Sequence, residues 1–265
     1  MPILTTEHLT RRFGQLTAVD DLTISVDEGE IFGLLGPNGA GKSTVIKMIT
    51  TLLPPTSGSA NVGGFDVVHN ASNVRRLIGY VPQVLSADGT LTGRENLMIF
   101  AKLYDIPKSE RATRIDESLE FMGLTDACDK LVKNYSGGMI RRLEIALSML
   151  HHPKVLFLDE PTIGLDPVGR KAVWDHIQKL RADYGTTIFL TTHYMEEADN
   201  LCFRVAIMHL GKLAVIGAPA DLKASLNKEN VTLDDVFVYY SGGELDSGGS
   251  YREATMTRRT ARRLG

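Results

Sequence analysis

The chain has 265 residues, 43% hydrophobic and 23% charged, enough to bury a core as one domain or a domain with an appended subdomain. Twenty-nine basic against thirty-two acidic side chains leave a net charge of −3, which excludes a surface built throughout for nucleic acid. Two cysteines exclude a disulfide framework, and no apolar run approaches the ~18–20 residues of a bilayer span. Glu7 and His8 stand where a signal peptide needs an apolar core, so a reducing, cytoplasmic setting is expected.

Strand-like runs open the chain at Ile3 to Leu9, Leu22 to Val26 and Glu30 to Leu35, separated by turns such as Asp27-Glu28-Gly29. A glycine-rich loop follows, then a helical pattern from Val45 to Leu53 that Pro54 and Pro55 stop. From Gly93 to Leu150 the pattern is mostly helical, with Ile140, Leu143, Leu147 and Leu150 on one stripe. Val155 to Asp159 reads as a buried parallel strand. A helix with Val173, Ile177, Leu180 and Tyr184 on one side comes next, then a second buried strand from Thr187 to Thr191. Residues 204–217 form a hairpin pattern, after which regularity fades. From Ser241 the chain is rich in Gly and Ser, and residues 252–265 hold five arginines and one glutamate, a local charge of 5 − 1 = +4. The alternation of strands and helices predicts an α/β domain with a parallel sheet and a helical insertion.

The loop Gly36, Pro37, Asn38, Gly39, Ala40, Gly41, Lys42, Ser43, Thr44 fits G-x-x-x-x-G-K-[ST] between a strand and a helix. Its glycines let successive N–H groups turn inward around phosphate oxygens, and the following helix presents its positive end to the same anion. Lys42 reaches the β- and γ-phosphates, and the Ser43 hydroxyl suits Mg²⁺. The second acidic element is Asp159-Glu160, at the end of the Val155 strand and 159 − 42 = 117 residues after Lys42. Asp159 would hold Mg²⁺ directly or through water, and Glu160 would activate the attacking water.

Between these elements lies Tyr135-Ser136-Gly137-Gly138-Met139, 159 − 136 = 23 residues before Asp159 when counted from Ser136. With the other two motifs, it resembles the signature of ATP-binding-cassette (ABC) ATPases, usually LSGGQ. The resemblance spans about residues 3–217. It implies an α/β P-loop NTPase (RecA-like) core with a parallel sheet, an N-terminal antiparallel β subdomain and a helical ABC-specific subdomain. It also assigns Gln83 to the loop that senses metal and water, Asp166 to the loop between protomers, and His193 to the switch histidine. Phe13 would place its ring against adenine. Tyr135 and Met139 depart from the family's usual leucine and glutamine, while Ser136, Gly137 and Gly138 are intact.

The implied cofactors are ATP and Mg²⁺. The implied partners are a second copy of the chain, closing around two ATP, and a separate membrane permease; no nucleic acid is expected. YSGGM and the Thr232 to Phe237 stretch are similar to exporter ATPases of the daunorubicin/doxorubicin-resistance type, which pair with type-2 ABC permeases. That places the chain at the cytoplasmic face of the cell membrane. An importer ATPase and a soluble ABC ATPase acting on ribosomes or DNA stand as alternatives. The expected divisions are residues 1–220 as the nucleotide-binding domain, with the helical part at about 88–150. Residues 221–243 form a helical extension and 244–265 a flexible basic tail, either solvated or in contact with anionic lipid.

Overall fold

The computed structural model describes residues 1–228 and 230–241. The expected basic tail at 244–265 lies outside the described residues.

Two long strands, β1 (Pro2–Phe13) and β2 (Leu16–Asp27), pair antiparallel. Both run well past the expected Ile3–Leu9 and Leu22–Val26. The sequence pattern breaks where His8 and Asp21 take positive φ and the pairing register slips, so alternation is lost while pairing continues. β4 (Ser57–Val62) and β5 (Phe65–Asp66) complete this four-stranded sheet in the order β2-β1-β4-β5.

The second sheet contains β3 (Ile31–Leu35), β6 (Ile78–Val81), β7 (Val155–Asp159), β8 (Thr187–Thr192), β9 (Arg204–His209) and β10 (Lys212–Gly217). Its order is β10-β9-β3-β8-β7-β6, and every pairing is parallel except the β9–β10 hairpin at the edge. Both faces are buried, which is why β3 and β7 read as near-continuous apolar runs, while β8 carries Ile188, Phe189 and Leu190 between buried threonines. Phe32, Phe157 and Phe189 face the antiparallel sheet, with Phe189 lying 5.5 Å from each of the other two rings across neighbouring strands. Ile31, Leu35, Leu156, Leu158, Ile188 and Leu190 face the opposite core, with the helices. Alternate residues of one strand thus serve two cores.

α1 (Lys42–Ile49) begins directly on the glycine loop, three residues before the expected start, and ends before the prolines. Thr51 takes φ +66°, and the N–H groups of Thr51 and Leu52 return to the carbonyls of Met48 and Lys47, a Schellman stop without glycine. α2 (Ala71–Leu77), β4 and β6 carried no sequence signal: α2 spans seven residues and β4 is Ser-Gly-Ser-Ala-Asn-Val.

The mostly helical expectation for 93–150 resolves into α3 (Gly93–Leu103), α4 (Lys108–Phe121) and α5 (Gly137–Met149). Two short 3₁₀ turns, at Thr125–Ala127 and Val132–Asn134, interrupt the helices. α6 (Pro167–Tyr184) buries Val173, Ile177 and Leu180, but Tyr184 is half exposed, its ring edge-on to Phe121 at 5.3 Å. It sits in the last turn, beside the Gly185 cap, where the helix is leaving the core. α7 (Met195–Leu201) follows β8, and α8 (Pro219–Ala224) and α9 (Leu233–Tyr240) follow the hairpin. No helix among the described residues is long and apolar enough to cross a membrane.

Candidate active site

Because β3, β6, β7 and β8 are parallel neighbours in one sheet, the loops leaving their C-terminal ends meet along one edge. β3 delivers the glycine loop and β7 delivers Asp159-Glu160. β8 delivers Thr191 and His193, and β6 delivers Gln83.

Gly41 shows why the loop needs glycine. Its φ is +102°, and an added Cβ would lie 2.4 Å from the Ala18 carbonyl oxygen. No side chain caps the helix that starts after it, so the first N–H groups of α1 are left for another acceptor. Lys42 is 4% exposed and its ammonium donates to the carbonyls of Gly36 at 2.8 Å and Pro37 at 3.1 Å.

Glu160 is the meeting point. Its carboxylate lies 3.3 Å from Lys42 Nζ, 3.1 Å from His193 Nδ1 and 3.5 Å from Gln83 Nε2. Its backbone is left-handed, φ +49°, a conformation costing a non-glycine residue about 1 kcal/mol or more. Two hydrogen bonds from its N–H, to Thr191 O and Oγ1, hold it there. Asp159 accepts from Thr191 Oγ1 at 2.6 Å and from Ser43 Oγ at 3.1 Å. Beneath it, burial and then the Asp159 charge push the Tyr80 phenol up to about 12.

A groove of about 520 Å³ runs beside this cluster, lined by Phe13, Leu16, the loop residues from Asn38 to Thr44, Gln83, Glu160 and Ile163. Phe13 is half exposed there, with the Arg11 guanidinium 4.7 Å over its ring. One face of the ring is therefore backed by a cation.

Ser136, Gly137 and Gly138 are not in that groove. They line a separate one with Arg142, Gly164, Leu165, Asp166 and Val168. Ser136 caps α5, accepting from Met139 N at 3.3 Å. Asp166 likewise caps α6, accepting from Gly169 N at 2.7 Å. Tyr135, the departure from leucine, is buried and donates to the Ala127 carbonyl at 2.7 Å, tying the signature to the preceding 3₁₀ turn. The two grooves share no residue, so the predicted site residues fall into two sets.

Residues 19–163 match the family model described as ABC transporter. The chain belongs to the ABC transporter family. The cassette is 45% identical over 228 residues to the daunorubicin/doxorubicin resistance ATP-binding protein DrrA of Streptomyces peucetius, covering 86% of this chain and 69% of that protein. It is 39% identical over 229 residues to the linearmycin resistance ATP-binding protein LnrL of Bacillus subtilis (strain 168), covering 86% and 73%. A solved ATP binding subunit of an ABC transporter superposes with TM-score 0.79 at 28% identity, over 90% of this chain and 99% of that one. The cassette is thus an α/β P-loop ATPase with the architecture described above.

Three features of this ABC cassette carry no motif in the sequence. Thr191 has only a strand signal, yet its hydroxyl joins Asp159 to the Glu160 N–H. Glu197 on α7 is buried and accepts from Thr162 Oγ1 at 2.7 Å and Trp174 Nε1 at 2.9 Å. Arg141 and Glu144, on α5, are buried against the loop that carries Gln83. The available signal was charge on a helix whose surroundings are apolar.

Proposed function

We propose that this chain is the ATP-hydrolysing subunit of an ABC exporter and works as a pair of copies beneath a separate type-2 membrane permease. The nucleotide-binding domain occupies residues 1–220, with the helical part at about 88–150. The helical extension at 221–243 follows it, and the protein sits at the cytoplasmic face of the membrane through its permease. The observation that carries the reading is the division of motifs between two grooves. Lys42, Ser43, Gln83 and Glu160 line one, with Asp159 bonded to Ser43 and His193 to Glu160, while Ser136 to Gly138 and Asp166 line the other. A second copy, facing the first, brings its signature groove to the nucleotide held by the first copy's loop.

ATP lies with its phosphates in the loop of residues 36–44, its chain N–H groups and Lys42 meeting the negative charge, and its base against Phe13. Ser43 and Asp159 are adjacent hard oxygen donors, a set that suits Mg²⁺. Bound there, the ion would neutralise phosphate charge. Glu160 takes the proton of the attacking water as the water oxygen bonds to the γ-phosphorus and the bond to ADP breaks. His193 holds the Glu160 carboxylate in position, and Gln83 orients the water from the opposite side. The signature N–H groups at the start of α5 add positive dipole to the γ-phosphate. Export is favoured by the relatives named above, both drug-resistance ATP-binding proteins.

Replacing Glu160 by Gln removes the base while leaving the phosphate cradle. The variant is expected to elute as an ATP-dependent, long-lived dimer with hydrolysis reduced about 100-fold or more. An unchanged hydrolysis rate, or a monomer at saturating ATP, would overturn the reading. Purified from native membranes with ATP, the same variant should carry a permease; ribosomal or DNA-repair components instead would decide for a non-transport ATPase.

A further inference from the structure

The loop from Pro82 to Thr92 carries Gln83, yet its inner wall is made by the helix that begins at the signature. Arg141 and Glu144, one turn apart on α5, are 3% and 1% exposed and lie 3.1 Å apart as an ion pair. Arg141 donates to the Pro82 carbonyl at 2.8 Å and the Gln83 carbonyl at 3.2 Å. Glu144 accepts from the backbone N–H of Ser86 and from its hydroxyl. One turn further on, Ser148 Oγ donates to Tyr80 O at 3.0 Å, so one stripe of α5 follows the chain from Tyr80 to Ser86. From the other side, Lys133 N donates to Gly89 O at 3.0 Å and Val132 N to Leu91 O at 2.8 Å. The segment leading into the signature therefore grips the far end of the same loop.

A charge buried at this depth costs far more than a surface pair returns, unless every polar atom finds a partner. Burial indeed pushes the Glu144 carboxyl up and the Arg141 guanidinium down. An apolar stripe would have packed α5 against β6 equally well. What the pair adds is directional bonds to three points, Pro82, Gln83 and Ser86, of an otherwise irregular loop.

We propose that Arg141 and Glu144 are positioning residues for Gln83: they bind its loop to the signature helix, so that Gln83 and Ser136 move as one body. The proposal rests on the function given above, in which Gln83 serves the nucleotide of its own copy and Ser136 that of the facing copy. Displacement of the signature by the partner's nucleotide then reaches Gln83 through the clamp, linking one site to the other within a single chain.

The decisive variant is Arg141→Leu combined with Glu144→Leu, because replacing both charges keeps a packed helix and leaves no orphaned charge. In the full chain, hydrogen exchange at the amides of residues 83–87 should speed about tenfold, with strands β3, β7 and β8 unchanged. Turnover should fall about 10–100-fold while the affinity for ATP stays at the wild-type level, the split expected of a misplaced group. Arg141→Lys keeps the charge with a smaller donor set and should recover part of the turnover. A folded double variant with wild-type exchange and wild-type turnover would overturn the proposal, as would a loss of turnover matched by an equal loss of ATP affinity. Should the double variant not fold, Ser86→Pro decides by the same criteria at the amides of residues 83–85 and 87, since it removes both donors to Glu144 from an exposed loop position and leaves the core untouched. If the wild-type chain hydrolyses no ATP, the functional reading fails by itself, and the exchange at residues 83–87 still decides whether the clamp holds the loop.

Discussion

Replacing Thr191 by Val tests how the acidic pair is held. Thr191 is fully buried, and its hydroxyl donates to Asp159 Oδ1 at 2.6 Å while accepting from the Glu160 N–H at 3.1 Å. Valine has the same shape, so no cavity forms, and the Glu160 N–H keeps the Thr191 carbonyl at 3.1 Å. The loss is thus confined to one short hydrogen bond onto a buried carboxylate, about 2 kcal/mol. For a chain of this size, that corresponds to a fall in Tm of about 4–8 °C. Thermal unfolding of wild type, Thr191→Val and Thr191→Ser measures it. Serine keeps both hydrogen bonds and loses only a methyl group, about 1 kcal/mol. A Thr191→Val midpoint within about 1 °C of wild type, or a serine variant less stable than the valine one, would refute the reasoning.

His151 stacks on Tyr104 at 4.0 Å and donates from Nε2 to the Ile78 carbonyl at 2.9 Å. Burial lowers its pKa from the ordinary 6.5, so between the lowered value and 6.5 the unfolded chain binds the proton more readily. The stability it confers is complete above pH 6.5 and is lost as pH falls through the folded value; Tm measured against pH should show this fall, flattened in His151→Phe. Replacing Glu197 by Ala leaves the buried Thr162 Oγ1 and the part-buried Trp174 Nε1 without their acceptor and should cost about 2–4 kcal/mol in urea unfolding. The emission of the single tryptophan should shift with it, and Glu197→Gln, which keeps the acceptor oxygen, should lose much less. Tyr135→Leu restores the family's usual residue but removes the bond to Ala127 O. It should cost about 1 kcal/mol of stability and leave ATP turnover near the wild-type level, because the Ser136 cap is untouched.

The elements legible in the sequence were those with strong local causes. β3 and β7 are near-continuous apolar runs, and β8 has an apolar centre between buried threonines, because both faces of the central sheet are buried; the hairpin of β9 and β10 turns on Gly211. The phosphate loop was legible for a similar reason: its glycines answer to a backbone shape that only a few residues adopt. β4, α2, β6 and α7 were not legible. They span six, seven, four and seven residues, too short for a period to show, and neighbours far along the chain stabilise them. Tyr184 fitted the apolar stripe of α6 by spacing alone, but the helix had already passed the edge of the core.

The sequence by itself determined the chemistry: a phosphate cradle, an acidic pair, a signature and the residues expected around them, each recognisable within a few residues. Their arrangement was beyond it. The sheet order β3-β8-β7-β6 sets Lys42, Glu160, His193 and Gln83 at one edge, although they are spread over 193 − 42 = 151 positions. The same fold turns Ser136 to Gly138 into a different groove. Local residue preferences act over a turn or two of chain, whereas these placements depend on which strands pair, and pairing is settled by burial across the whole sheet. The clamp of Arg141 and Glu144 shows this most clearly: two charges that read as an ordinary helix surface become a buried anchor only once β6 and its loop are packed against them.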